Sequence, residues 1–129
     1  MDPNFFRKGM EGGAALPWGG DAANEGIDLN EALVRNRQAT FFMRVNSDAM
    51  EGAGIRAGDV VIVDRAMEAK NGKVIIAMLD GELLIRQLVV HSGTKKLVPA
   101  TARLAPIDIS AASHFAIWGV VTYVIHNMA

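Results

Sequence analysis

Val45-Asn46-Ser47-Asp48-Ala49-Met50, Gly54-Ile55-Arg56-Ala57-Gly58-Asp59 and Asp80-Gly81-Glu82-Leu83-Leu84-Ile85-Arg86 decide how this chain is read. The third block is structurally the plainest. Asp-Gly between two apolar runs specifies a type I′ hairpin turn, because both central residues must accept positive φ. Residues 73–79 and 82–90 are therefore expected to pair antiparallel. Working outward, the residues at 41–45, 60–63, 96–98 and 117–125 are rich in β-branched or aromatic side chains and also read as strands. Gly-containing turn signals separate them at Gly52-Ala53-Gly54, Asn71-Gly72 and Ser92-Gly93. Asp28-Leu29-Asn30-Glu31 has the spacing of a capping box and predicts a short helix over about 29–35. A compact, mainly β body with one or two short helices follows, without internal repeats.

Ahead of that body, residues 1–26 hold Gly9, Gly12, Gly13, Gly19, Gly20 and Gly26 and show neither helical nor strand periodicity. They read as an extended N-terminal arm, with residues 27–129 as the β domain. Phe5, Phe6, Leu16 and Trp18 suit an arm that docks on its own body or on a partner; an ordinary mobile terminus explains them almost as well. The first nine residues lack the basic start and apolar run of a signal peptide, and no apolar run approaches membrane-spanning length. A cytoplasmic protein with no membrane partner is expected. Thirteen basic against fourteen acidic residues, net −1, offer no general attraction for phosphate backbones, so direct, nonspecific nucleic-acid binding is disfavoured; no direct sequence-specific DNA binding is expected either. Cysteine is absent, which excludes a disulfide scaffold.

The first and third blocks carry the site. A serine–lysine protease needs a hydroxyl at the start of a short helix, where backbone N–H groups can hold an oxyanion, and a neutral lysine to take the hydroxyl proton. Together with Gly58-Asp59-Val60-Val61-Ile62-Val63-Asp64, Asn71-Gly72-Lys73-Val74-Ile75-Ile76-Ala77 and Trp118-Gly119-Val120-Val121-Thr122, these blocks resemble the LexA/UmuD family of self-cleaving serine proteases. The resemblance runs over roughly residues 27–126. With only the arm ahead of it, UmuD-type members are the nearer match. It implies a LexA/UmuD-like C-terminal protease-type β fold, with the nucleophilic serine where Ala49 stands and the general-base lysine where Arg86 stands. Asp48 and Met50 become oxyanion or cleft neighbours. Ala49 has no attacking atom, and a guanidinium stays protonated, so both halves of the chemistry are missing. The two losses fit a naturally inactive relative or a deliberate double knock-out. The family cuts its own arm between small residues, and counting back places the equivalent bond near Gly13-Ala14, with Ala14-Ala15 adjacent; a flexible linker is the plainer reading of these residues.

Replacement groups are weak. Ser47 is two positions from the nucleophile site and reads as a turn or cap serine. Lys70, Lys73, Lys95 and Lys96 fall at strand ends or turns. His91, His114 and His126 are dispersed, so no metal is expected, and no cofactor either. Asp28, Asp48, Asp59, Asp64 and Asp80 fit turn and capping duties. The resemblance implies a homodimeric accessory subunit of an error-prone translesion DNA polymerase in the SOS response, with the RecA filament and the polymerase catalytic subunit as partners. Two alternatives are a dead-protease partner that heterodimerises with an active relative, and an autoprotease using another nucleophile.

Overall fold

A computed structural model of the chain describes residues 26–111 and 114–129. They belong to two units, one ending at Val34 and one spanning Arg35–Ala129. In the first, Asp28 caps helix α1 (Leu29–Leu33), its carboxylate accepting the N–H of Asn30 at 3.0 Å and, more weakly, that of Glu31 at 3.5 Å. The helix stops earlier than the pattern suggests because Val34 takes extended angles, φ −102° and ψ 101°.

The second unit is a seven-stranded antiparallel sheet. Its strands are β1 (Thr40–Arg44), β2 (Val60–Asp64), β3 (Val74–Leu79), β4 (Glu82–His91), β5 (Thr94–Val98), β6 (Ile107–Asp108) and β7 (Phe115–Ile125). Their spatial order is β1-β2-β7-β3-β4-β5-β6, so the last strand in sequence becomes a central one. Hairpin β3–β4 turns at Asp80 (φ 48°) and Gly81 (φ 86°), as the Asp-Gly pair dictates. Ser92 (φ 49°) and Gly93 (φ 79°) make the same kind of turn between β4 and β5. Strand β6 was not expected: two residues cannot show an alternation, and only pairing with Lys96 and Leu97 makes them a strand.

Because successive strand residues face opposite sides, the apolar runs feed two cores. Val45, Met50, Ile55, Val61, Val63, Ile76 and Ile85 form one; Ile75, Ala77, Leu88, Leu97, Ile109 and Val120 form the other. Each Val, Leu, Ile or Met among them contributes about 1.5–3 kcal/mol when fully buried. Gly119 is required where β7 crosses β3 and β2. A methyl group there would lie 2.5 Å from Val63 Cγ1 and 3.3 Å from the Asp64 carbonyl oxygen. Register shifts between Ile62 and Val63 and between Ile76 and Ala77 flank this crossing.

Candidate functional site

Beyond β1 the chain keeps an extended course for one more residue. Val45 donates to the Asp59 carbonyl at 2.8 Å and accepts from the Gly58 N–H at 2.7 Å. The segment then bends through Asn46, Ser47 and Asp48 into a 3-10 turn, Glu51–Ala53, closed by Gly54 in the left-handed region at φ 84°. Met50, fully buried, anchors this corner in the first core. Two short bonds clamp the corner to the chain leaving β5: Ala100 N–H to the Ala49 carbonyl and Gly52 N–H to the Ala100 carbonyl, both 2.8 Å.

A cleft of about 490 Å3 opens within this unit. Residues 43–47 line one side and residues 82–86 the other, with Val61 and Ile76 between them. Its size falls within the range of ligand sites. Both flanks are strand segments with edges that no described strand covers. Among the described residues β1 pairs only with β2, while β5 pairs with residues 87–91 of β4 and leaves residues 82–86 without a strand on that side.

The expected site residues distribute as follows. Arg86 lines the cleft and is about nine-tenths buried. Its Nη1 donates to the Ile85 carbonyl at 2.8 Å, whereas its Nε is buried without a hydrogen-bond partner. Desolvation lowers its pKa from the ordinary arginine value, the direction expected for a buried cation. Ala49 is completely buried and does not line the cleft. It connects to Arg86 through the Ala100 clamp: Ala100 follows Val98 by two residues, and Val98 pairs with Gln87, the neighbour of Arg86. Ser47 does line the cleft, and its hydroxyl oxygen accepts the Ala49 N–H at 3.1 Å. That contact occupies the Ala49 backbone donor at the corner. No lysine or histidine is among the described residues that line it. Asp48 faces solvent and shares Arg103 with Glu51 at 3.0 and 3.1 Å; with these side chains more than half exposed, such pairs contribute little. Met50 is a core anchor. Gly13, Ala14 and Ala15 lie outside the described residues.

Capping accounts for the other aspartates singled out, Asp80 at its turn apart. Asp64 accepts the Ala66 and Met67 N–H groups. Asp59 accepts the Arg56 N–H at 2.8 Å and pairs with His126 Nδ1 at 2.6 Å. The Arg56 amide first, then His126, hold the Asp59 pKa below the ordinary aspartate value. Sequence reading did not find the Asp59–His126 pair, since 67 residues separate its members and nothing local marks it. Among the described residues no group of three His, Cys, Asp or Glu could hold a metal, and no helix is long and apolar enough to cross a membrane.

An antiparallel sheet carrying a cleft beside a strand-to-turn corner is consistent with a protease-type β fold, and the chain belongs to the Peptidase S24-like family, which it matches over residues 11–122. It is of the LexA/UmuD type. Protein ImpA of Salmonella typhimurium is 35% identical to it over 113 residues, 83% of this chain and 72% of that one. Protein SamA of the same species is 35% identical over 109 residues, with 83% and 74% covered. LexA repressor 2 of Pseudomonas putida is 35% identical over 108 residues, which cover 83% of this chain but 53% of the repressor.

Proposed function

We infer that the protein is a UmuD-like accessory subunit of an error-prone translesion DNA polymerase in the SOS response, and that it persists uncleaved. In this reading Ala49 and Arg86 occupy the nucleophile and general-base positions, residues 1–26 form the arm, and the bond near Gly13-Ala14 or Ala14-Ala15 stays intact. The protein works as a cytoplasmic homodimer with the RecA filament and the polymerase catalytic subunit as partners. The observation that carries the reading is chemical. Of the ionisable residues lining the cleft, Arg44, Glu82 and Arg86, the one at the general-base position is an arginine, which stays protonated at physiological pH and cannot take a proton from a nucleophile. The likeness to ImpA and SamA over most of their length supports the UmuD-like rather than the repressor role.

The test uses the full chain. Incubated at alkaline pH, the protein should stay whole by mass spectrometry, whereas Ala49→Ser with Arg86→Lys should release a fragment cut near residues 13–15. Either substitution alone should not, because nucleophile and base act as a unit. A wild-type protein that cuts itself there would refute the inactive reading; a double variant that stays whole would refute the assignment of the two positions. Co-purification with an error-prone polymerase subunit checks the accessory role.

A further inference from the structure

Arg86 stands out in this unit. It is a charged group, about nine-tenths buried, with one nitrogen unbonded, and it takes part in none of the ion pairs among the described residues. A cation removed from water without a counter-charge is costly, and proteins ordinarily pair such groups. Glu82 also lines the cleft on the same face of β4, but it lies four positions from Arg86 along the strand, about 13 Å of backbone.

The backbone around Arg86 indicates what would pair with it. Leu88 N–H bonds to the Lys73 carbonyl, and the Leu88 carbonyl accepts from Gly72 N–H, so Leu88 turns its polar groups toward the β3 side. By strand alternation, Leu83 and Ile85 turn theirs the other way, onto the edge that β5 leaves free. The Ile85 carbonyl on that edge accepts the Arg86 guanidinium, which substitutes for a missing neighbouring strand. Side chains alternate too. Ile85 packs in the first core, whereas Arg86 pairs with Ile75 of the second. A strand laid on this edge would therefore set one residue beside Arg86 and turn its two neighbours toward the apolar cleft side, with Leu83 and Ile85.

We propose that the cleft binds an extended peptide of a partner protein by strand addition to residues 82–86, with Arg86 recognising a carboxylate flanked by apolar residues. The peptide's N–H groups take over the edge carbonyls, the guanidinium releases Ile85 and closes on the carboxylate, and the buried charge gains its counter-ion. The proposal rests on the functional reading above only in treating the cleft as a peptide site.

The probes are the capped peptides Ac-Ala-Val-Glu-Val-Ala-NH2 and its Gln counterpart, titrated into the full chain by calorimetry and by amide NMR. The Glu peptide should bind at least about tenfold more tightly, the scale of one charge-assisted bond, with shifts confined to residues 43–47 and 82–86. Arg86→Met should abolish the preference and Arg86→Lys should retain part of it, the amide spectrum of each variant verifying the fold. Equal affinity for both peptides, a preference that survives Arg86→Met, or no binding of either at millimolar concentration would overturn the proposal, the last leaving Arg86 as a plug on a bare strand edge. Self-cleavage by the Ala49→Ser, Arg86→Lys variant reads a different quantity, so a cutting variant whose parent binds no acidic peptide would sink this inference and spare the functional one.

Discussion

Replacing Gly52 with alanine probes the clamp that fixes the corner carrying Ala49. The added Cβ would stand 2.5 Å from the Ala100 carbonyl oxygen and 3.4 Å from its carbonyl carbon, both backbone atoms that cannot rotate aside. Restoring ordinary contact requires the two segments to part by about 1 Å. Such a movement breaks the Gly52 N–H to Ala100 bond and stretches the Ala100 N–H to Ala49 bond, each 2.8 Å. At about 0.5–1.5 kcal/mol per bond, the loss is roughly 1–3 kcal/mol, which corresponds to a fall in melting temperature of about 5–15 °C for a domain of this size. Calorimetry measures that fall. Hydrogen exchange locates it, because the Ala100 amide should exchange roughly tenfold faster or more. Gly81→Ala is the control: Gly81 has positive φ and open space around it, so its cost of about 1 kcal/mol is conformational and should leave the Ala100 amide unchanged. Unaltered melting and Ala100 exchange in Gly52→Ala would refute the argument that this close approach holds Ala49 in place.

Three further outcomes follow from the same geometry. Since the Ser47 hydroxyl occupies the Ala49 N–H, adding Ser47→Gly to the Ala49→Ser, Arg86→Lys variant should speed arm cleavage about tenfold, read by fragment mass; an unchanged rate would mean that this donor is not used. Gly119→Ala should destabilise by about 1–3 kcal/mol in urea melts, and Val63→Ala should relieve part of that loss because it removes the Cγ1 atom the new methyl strikes; additive losses would contradict this. The Asp59 pKa is depressed in the folded state, so its contribution is present above the ordinary aspartate range and disappears as pH falls below about 4 toward the folded value; denaturant melts of Asp59→Asn should lack that part of the acid limb, and an identical pH profile would refute the assignment.

Much of the local structure was legible because its causes are local. The Asp80-Gly81 and Ser92-Gly93 turns follow from the positive φ their residues accept, and Asp28 caps a helix through atoms two and three residues away. The apolar runs of β2, β3, β4 and β7 announce strands buried in a core. The order and spacing of Ser47-Asp48-Ala49-Met50 and Asp80–Arg86 were enough to identify the family.

Tertiary structure decided what those residues meet. The insertion of β7 between β2 and β3, the two-residue β6 and the need for glycine at 119 come from pairings that residues distant in sequence make with one another. The same holds for the Asp59–His126 pair and for the Ala100 clamp on Ala49. Above all, the burial of Arg86 beside a strand edge that β5 fails to cover is invisible in the residues themselves. An arginine in a sequence is a solvated cation by default, and only the packing of distant strands around it removes the water and leaves a charge in want of a partner.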